Sequence, residues 1–333
     1  MTRPFTLTLE DLPAPTLRRF VADYEAVAPP GLPLRHRQLI PWCWRASQTM
    51  MLTPLPESRA CELIETNLLA IVLNVMIDDL ADTVSEDATT LEQALGLLDG
   101  VEPEGLDVKP EFAAYLALVA ELRREILARI RRAPAYSTWS HDLELFVGRF
   151  QVAMRHGGAW NRRWQNRPQD QPQPQPQPPT PTFDDFLELT SAPIHSFIYG
   201  LLHLMQLDGD VGAERTAIVE TLRCGEQFLA MSNWLATWRV EIADRDFTSG
   251  VLVWALERGV LTPRTIRTLG TDELIHTLDE SDLEPSIERS MDRRLERMAD
   301  AGRSVTLFDV AAYRLALEHT HVLHRDHREV LKS

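Results

Sequence analysis

Apolar residues recur along this chain at steps of three and four. Leu69, Val72, Leu73, Met76 and Leu80 form one series, and Leu116, Val119, Leu122 and Ile126 a second. Leu201, Leu204 and Leu207 continue the pattern, as do Leu252 and Leu256. This is the period of helices lying on a core, not the alternation of strands. Hairpin signatures such as Asn-Gly between β-branched runs are absent. The pattern predicts an all-α chain of about ten to twelve helices. Some starts are legible: Thr90 with Glu92 and Gln93 close behind, and Pro110 followed by Glu111. Pro263 and Pro285 sit where first-turn prolines are tolerated.

One segment breaks the pattern. Residues 167–182 read RPQDQPQPQPQPPTPT. Proline lacks the amide donor and clashes with the preceding turn, so this stretch is expected to be an extended, solvated, polyproline-like linker. A loop insertion is the plain reading; a ligand for a proline-binding module is the other. It is not taken as a domain boundary, because the chemistry below draws on both sides of it. The expectation is one domain over residues 1–333.

Length alone allows one or two domains, and 44% hydrophobic residues suffice for a sizeable core. The formal net charge of −15 argues against nucleic acid as a partner, since phosphate binding needs a basic stripe. An acidic chain still takes an anionic substrate when metal cations stand between them. Cys43, Cys61 and Cys224 suggest neither a disulfide framework nor a zinc site, which fits a reducing cytoplasm. The opening residues lack the charged-then-apolar run of a signal peptide. No membrane span is expected: the longest apolar stretch, Leu68 to Ile77, is interrupted by Asn74.

Two constellations carry chemistry. In Asp78-Asp79-Leu80-Ala81-Asp82, a helix places Asp78 and Asp82 one turn apart on one face, continuing a stripe through Val75 and Ile71. Carboxylates at the end of an apolar stripe call for cations, and hard oxygen ligands suit Mg²⁺. An acidic helix end facing water is the plain alternative. In the second, Asn233, Thr237 and Glu241 at i, i+4 and i+8 project from one helical face. Their amide, hydroxyl and carboxylate oxygens can chelate one Mg²⁺ and leave positions for water and diphosphate; a solvated polar face is the alternative. Neighbouring Trp234, Leu235 and Trp238 point to a largely buried helix. Facing each other across a bundle, the two sets would clamp a diphosphate through metals and pull on it as it leaves.

The pair resembles the class I terpene synthases, whose DDxxD motif is matched by Asp78, Asp79 and Asp82. Their N-x-x-x-(S/T)-x-x-x-E motif is matched in full by Asn233, Thr237 and Glu241. The family's inter-motif distance is somewhat shorter, and the proline-rich insertion accounts for the excess. A softer match lies between, in Trp160-Asn161-Arg162, Pro181 and Phe186-Leu187-Glu188-Leu189. The resemblance covers roughly Leu69 to Gly259. It implies a single-domain antiparallel helical bundle around an apolar cavity, a prenyl diphosphate substrate and three Mg²⁺ ions. Asp78 and Asp82 would hold two ions, and Asn233, Thr237 and Glu241 the third. Asp79 would make hydrogen bonds instead. Bundles of this type often pair, so a homodimer is compatible.

The departures from the family pattern are informative. Thr190 and Ser191 stand where many bacterial members carry a diphosphate-sensing Arg pair. Val240 replaces the basic residue before the last motif glutamate, with Arg239 one place earlier, and Arg325 or Arg328 stands in for the C-terminal Arg-Tyr pair. Bacterial kaurene synthase-like enzymes also lack the Arg pair, and Ser191-Ala192-Pro193-Ile194-His195-Ser196 is similar to their helix break. A proline there frees a carbonyl whose dipole can stabilise a cation. A diterpene precursor of the copalyl type is therefore favoured, with a kink used only for packing as the alternative. Trp42, Trp44, Phe197 and Trp234 are candidate cavity aromatics for cation–π stabilisation, as are Tyr199 and Phe228. His195 is a candidate base or a structural histidine. Asp244 and Asp246 are assigned to a solvated end or to support of Glu241. Three rivals remain: a sesquiterpene synthase acting on farnesyl diphosphate, a chain-elongating prenyl transferase, and a non-enzymatic helical scaffold using its proline-rich loop. The transferase would normally carry a second DDxxD, which Ile242-Ala243-Asp244-Arg245-Asp246 is not.

Overall fold

The computed structural model describes residues 8–29, 36–83, 88–102, 108–165, 180–207 and 211–326. Among these there is no strand. In chain order the helices are α1 (Pro15–Val27), α2 (His36–Thr49), α3 (Glu57–Thr83), α4 (Ala88–Leu98), α5 (Pro110–Ile130), α6 (Tyr136–Gln165) and α7 (Phe183–Thr190). They continue with α8 (Ser196–Leu204), α9 (Arg215–Ala243), α10 (Gly250–Glu257), α11 (Pro263–Thr268), α12 (Thr271–Asp279), α13 (Leu283–Ala301) and α14 (Val310–Asp326). That is two more than the upper end of the sequence expectation. The excess comes from short elements such as α7, α10 and α11, which span too few turns to show a period.

The helix starts follow local chemistry. Pro15, Pro110 and Pro263 open their helices at the first turn, where a missing amide is harmless. Thr182 accepts a hydrogen bond from the Asp185 amide and so starts α7 as the chain leaves the proline-rich stretch. Residues 167–179 of that stretch, and with them the linker expectation, lie outside the described residues. The helix near Thr90 begins two residues earlier, at Ala88.

Two long helices organise the packing. On α3, Leu68, Val72, Met76 and Leu80 recur every fourth residue and are each at most 1% exposed; α3 packs against α1, α2, α4, α5, α6 and α8. On α9, buried residues run from Ile218 to Ile242, and this helix meets α8, α12, α13 and α14. One apolar cluster runs from Leu12 to Leu323. The segment Glu57–Ala81 is more continuously apolar than the interruption at Asn74 suggests. It reaches a mean hydropathy of 1.7, long and apolar enough by composition to cross a membrane. Asn74 does not break it, because the side-chain amide donates to the Pro193 carbonyl at 2.8 Å. The most apolar window is 67% buried, as befits the core helix of a bundle.

Candidate functional site

Asp78 and Asp79 leave α3 in different directions, about 100° apart around the helix. Asp78 is half-buried and lines a cavity. Asp79 is fully buried and accepts a hydrogen bond from the Tyr24 hydroxyl of α1. Tyr24 stands edge-on to Tyr115 at 6.0 Å, and the Tyr115 hydroxyl donates to the Met76 carbonyl at 2.7 Å. Burial, with Tyr24 and Asp79 nearby, raises the Tyr115 phenol well above its usual range, so it stays a neutral donor. Asp79 is thus tied to the back of α3. Asp82 occupies the last turn of α3, but its side chain lies outside the described residues.

The helix α9 presents Asn233, Thr237 and Glu241, all lining the same space as Asp78. Thr237 and Glu241 are 1% and 4% exposed, so this is no solvated face. The Thr237 hydroxyl lies 2.6 Å from Glu241 Oε1 and 2.8 Å from the Asn233 carbonyl, and its one proton serves one of them at a time. The Asn233 side-chain amide has no hydrogen-bond partner among the described residues.

The cavity is about 290 Å³. Its walls are mostly apolar, from Ile71, Val75, Met154 and Leu229 to the rings of Trp42 and Trp234. Trp234 is seated edge-on to Phe183 at 5.9 Å. Three carboxylates, Asp78, Glu241 and Asp246, line it, and among the described lining residues there is no Lys or Arg. The Arg162 guanidinium lies behind Gly158 of this wall, 3.3 Å from where a β-carbon on that glycine would stand.

The helix break lies along one wall. The helix α7 ends at Thr190, one 3-10 turn covers Ala192–Ile194, and α8 begins at Ser196. His195 joins the two with φ of 66°, a left-handed conformation uncommon for a residue with a side chain. It is buried, stands edge-on to Phe146 and Phe150, and burial pushes its imidazole down to about 3. Ser191, Pro193, Ile194, His195 and Ser196 all line the cavity. The Pro193 carbonyl already accepts the Asn74 amide.

Several expected side chains lie elsewhere. Trp44 and Phe197 are buried away from the cavity. Trp44 follows Trp42 by two residues, about 200° around α2. Phe197 stacks on Phe146 at 5.9 Å, under the Arg149 guanidinium. Arg239 is likewise two residues past Thr237 and points away. It pairs with Asp279 and, at 2.8 Å, with Glu284, and lies over the Trp238 ring. Arg325 is exposed near the end of α14, and Arg328 lies outside the described residues. Among the described residues no group of three or more His, Cys, Asp and Glu side chains forms a ready-made metal site.

His324 was not assigned to the cavity from sequence, and Asp246 was left between a solvated end and support of Glu241. His324 of α14 lines the cavity and stacks on Trp42 at 5.0 Å with planes 13° apart. Asp246, unlike the exposed Asp244, also lines it, and accepts from the Thr248 amide and hydroxyl at 3.0 and 2.6 Å. Asn161 fixes the same turn by accepting from the Phe247 amide at 3.0 Å. The only signal for Asn161 was its place beside Trp160 and Arg162.

Among solved structures, the chain is similar to abietadiene synthase from Abies grandis. The TM-score is 0.59 at 10% sequence identity, over 93% of this chain. The fold is that of the class I terpene synthases. The match covers only 36% of abietadiene synthase, so this chain spans about a third of that protein's length. A second similarity is to 2-methylisoborneol synthase from Streptomyces coelicolor A3(2), solved in complex with Mg²⁺ and geranyl-S-thiolodiphosphate. There the identity is 14%, with 86% of this chain and 91% of that one covered; its TM-score of 0.44 is too low to add to the fold assignment. No protein-family model and no curated protein matches the sequence.

Proposed function

We propose that this chain is a class I terpene synthase that ionises a prenyl diphosphate in the cavity between α3 and α9, guides the carbocation, and releases diphosphate. The observation that carries the reading is the charge of the walls. Three carboxylates and no Lys or Arg line the described cavity. A diphosphate cannot settle against carboxylates in a poorly hydrated space unless cations lie between them.

The donors fit Mg²⁺. Asp78 lines the same cavity as Asn233, Thr237 and Glu241, and together they offer carboxylate, amide and hydroxyl oxygens and no soft ligand. Asp82 is the further candidate from α3, and the resemblance implies three ions. Bound Mg²⁺ supplies Lewis-acid pull on the leaving diphosphate oxygens. The Thr237 hydroxyl, held between Glu241 and the Asn233 carbonyl, fixes the direction in which the Glu241 carboxylate presents itself. The apolar walls exclude the water that would otherwise trap a cation. Trp42 and Trp234 line the cavity, and a ring face turned to the cation would be worth about 2 kcal/mol when desolvated. With Arg239 turned away, Arg162 beside Gly158 is the guanidinium placed to meet the diphosphate. A diterpene precursor of the copalyl type is favoured, supported by the Ser191–Ser196 break that forms one cavity wall.

The test is to incubate the pure chain with Mg²⁺ and, separately, ten-, fifteen- and twenty-carbon linear diphosphates and copalyl diphosphate. Diphosphate release and gas chromatography with mass detection are the readouts. The expectation is Mg²⁺-dependent release with cyclic or rearranged hydrocarbon from copalyl diphosphate. Turnover of farnesyl diphosphate alone would move the assignment to a sesquiterpene synthase. Longer chains formed only with isopentenyl diphosphate would make it a transferase. No release from any substrate would refute the reading.

A further inference from the structure

A carbocation in a closed apolar cavity must lose a proton to become a neutral alkene, and that proton needs an acceptor and a way out. The acidic lining is committed to cations on the reading proposed above, on which this inference rests. Among the described lining residues the neutral nitrogen bases are the imidazoles of His195 and His324. They differ in connection. On His195 the Nε2 is not among the sealed atoms, but Nδ1 is sealed from solvent with no hydrogen-bond partner, so a proton received on Nε2 has no hydrogen bond to carry it onward.

His324 is wired to the outside. Its ring is clamped on one face by Trp42. Its Nδ1 lies 2.7 Å from Ser232 Oγ, and the same hydroxyl lies 2.8 Å from His321 Nδ1. His324 Nε2 has no hydrogen-bond partner among the described residues, yet it is not among the sealed polar atoms. It is therefore open to a small molecule, on a side chain that lines the cavity. His321, one turn earlier on α14, is half-buried rather than sealed. Ser232 precedes Asn233 on α9, so the wire begins beside one of the candidate metal-binding faces. A serine hydroxyl bridging two imidazole nitrogens must donate to one and accept from the other.

We propose that His324 is the base that ends the reaction, and that Ser232 and His321 carry its proton out of the cavity. In the starting arrangement His324 bears its hydrogen on Nδ1 and donates it to Ser232 Oγ, while the Ser232 hydroxyl donates to His321 Nδ1. His324 Nε2 then holds a lone pair. A C–H bond next to the cationic carbon breaks; its electron pair forms the alkene and cancels the charge, and the proton binds Nε2. His324 Nδ1 passes its own hydrogen to Ser232 Oγ as the serine proton moves to His321 Nδ1. His321, now an imidazolium, releases a proton to water. No oxidant, reductant or further reactant enters. Water exchange after product release restores the first arrangement.

Products normalised to diphosphate released separate this from a purely structural role. His324→Gln keeps a polar side chain of similar length without an imidazole, and Ser232→Ala cuts the wire while leaving the base. For His324→Gln the expected result is at least a tenfold rise, per diphosphate released, in water-trapped alcohols or alkene isomers absent from the unaltered protein. For Ser232→Ala and His321→Phe the same shift is expected in smaller degree. Val322→Ala, on the exposed face of the same helix, should match the unaltered chain. An unchanged product distribution in a folded His324→Gln protein overturns the proposal. Should that variant not fold, unchanged products in both Ser232→Ala and His321→Phe overturn it. A single alcohol and no alkene from the unaltered chain also overturns it. Absence of diphosphate release from the unaltered chain refutes the assignment as a synthase instead, so the two failures are told apart.

Discussion

Gly250 offers a test of how the cavity wall is held. It opens α10 with its Cα against the Trp234 indole. A β-carbon there would meet three ring carbons, two of them at 2.6 Å and 2.9 Å. Carbon pairs rest at about 3.5–4.0 Å, so Gly250→Ala requires the ring or the backbone to yield by about 1 Å. The indole cannot retreat freely, because Phe183 and Phe186 pack against it at 5.9 and 6.2 Å. Its free side is the cavity it lines. Overpacking of this kind costs about 1–3 kcal/mol. At about 2.1 cal/mol/K per residue, 333 residues give an unfolding entropy of about 0.7 kcal/mol/K, so Tm should fall by about 1–4 °C. The displaced indole should also alter the ratio of products. Gly148→Ala is the control: nothing lies within 4 Å of its added carbon, and in the middle of α6 alanine favours the helix by about 1 kcal/mol. Thermal unfolding by circular dichroism and product analysis by gas chromatography decide the matter. Unchanged Tm and unchanged products in Gly250→Ala would refute the claim that the glycine sets the position of Trp234.

Asp78→Ala and Asn233→Ala should each abolish diphosphate release while leaving the far-ultraviolet circular dichroism of the protein intact; unaltered turnover in either variant counts against the assignment. Arg149→Ala removes the partner of Glu226, which is wholly buried and also accepts from the Ser191 hydroxyl at 3.4 Å. Stranding that carboxylate should cost about 3–5 kcal/mol near neutral pH, or about 4–7 °C in Tm. Desolvation already raises the Glu226 pKa despite Arg149, so losing the arginine raises it further. A raised carboxyl binds its proton more readily in the folded chain, so stability falls as pH rises from the unfolded to the folded pKa. The Tm deficit of Arg149→Ala relative to the unaltered protein should therefore be larger at about pH 8 than at about pH 5; a deficit independent of pH would refute this account.

What was legible in the sequence was whatever depends on one helix at a time. A spacing of four places Asn233, Thr237 and Glu241 on one face of any helix, whatever surrounds it, and the series Leu69, Val72, Leu73, Met76 and Leu80 marks a largely buried stripe for the same reason. Pro110, Pro263 and Pro285 mark first turns because the missing amide is a local fact. What stayed hidden depends on two segments meeting. Nothing near residue 324 says that its imidazole will lie on Trp42, nor does residue 74 reveal the Pro193 carbonyl it will bind. Arg239 shows the limit most sharply. Counted along the chain it lies beside the motif, yet two residues amount to about 200° around a helix, and that rotation delivers it to Asp279 and Glu284 instead. The same rotation explains why Trp42 reaches the cavity and Trp44 does not. Net charge was equally ambiguous from sequence: −15 spread over a surface says only that nucleic acid is a poor partner. Once Asp78, Glu241 and Asp246 converge on one apolar hollow without a described Lys or Arg in its lining, the acidity becomes local, and on the proposed reading a phosphate-bearing substrate would enter in company with cations.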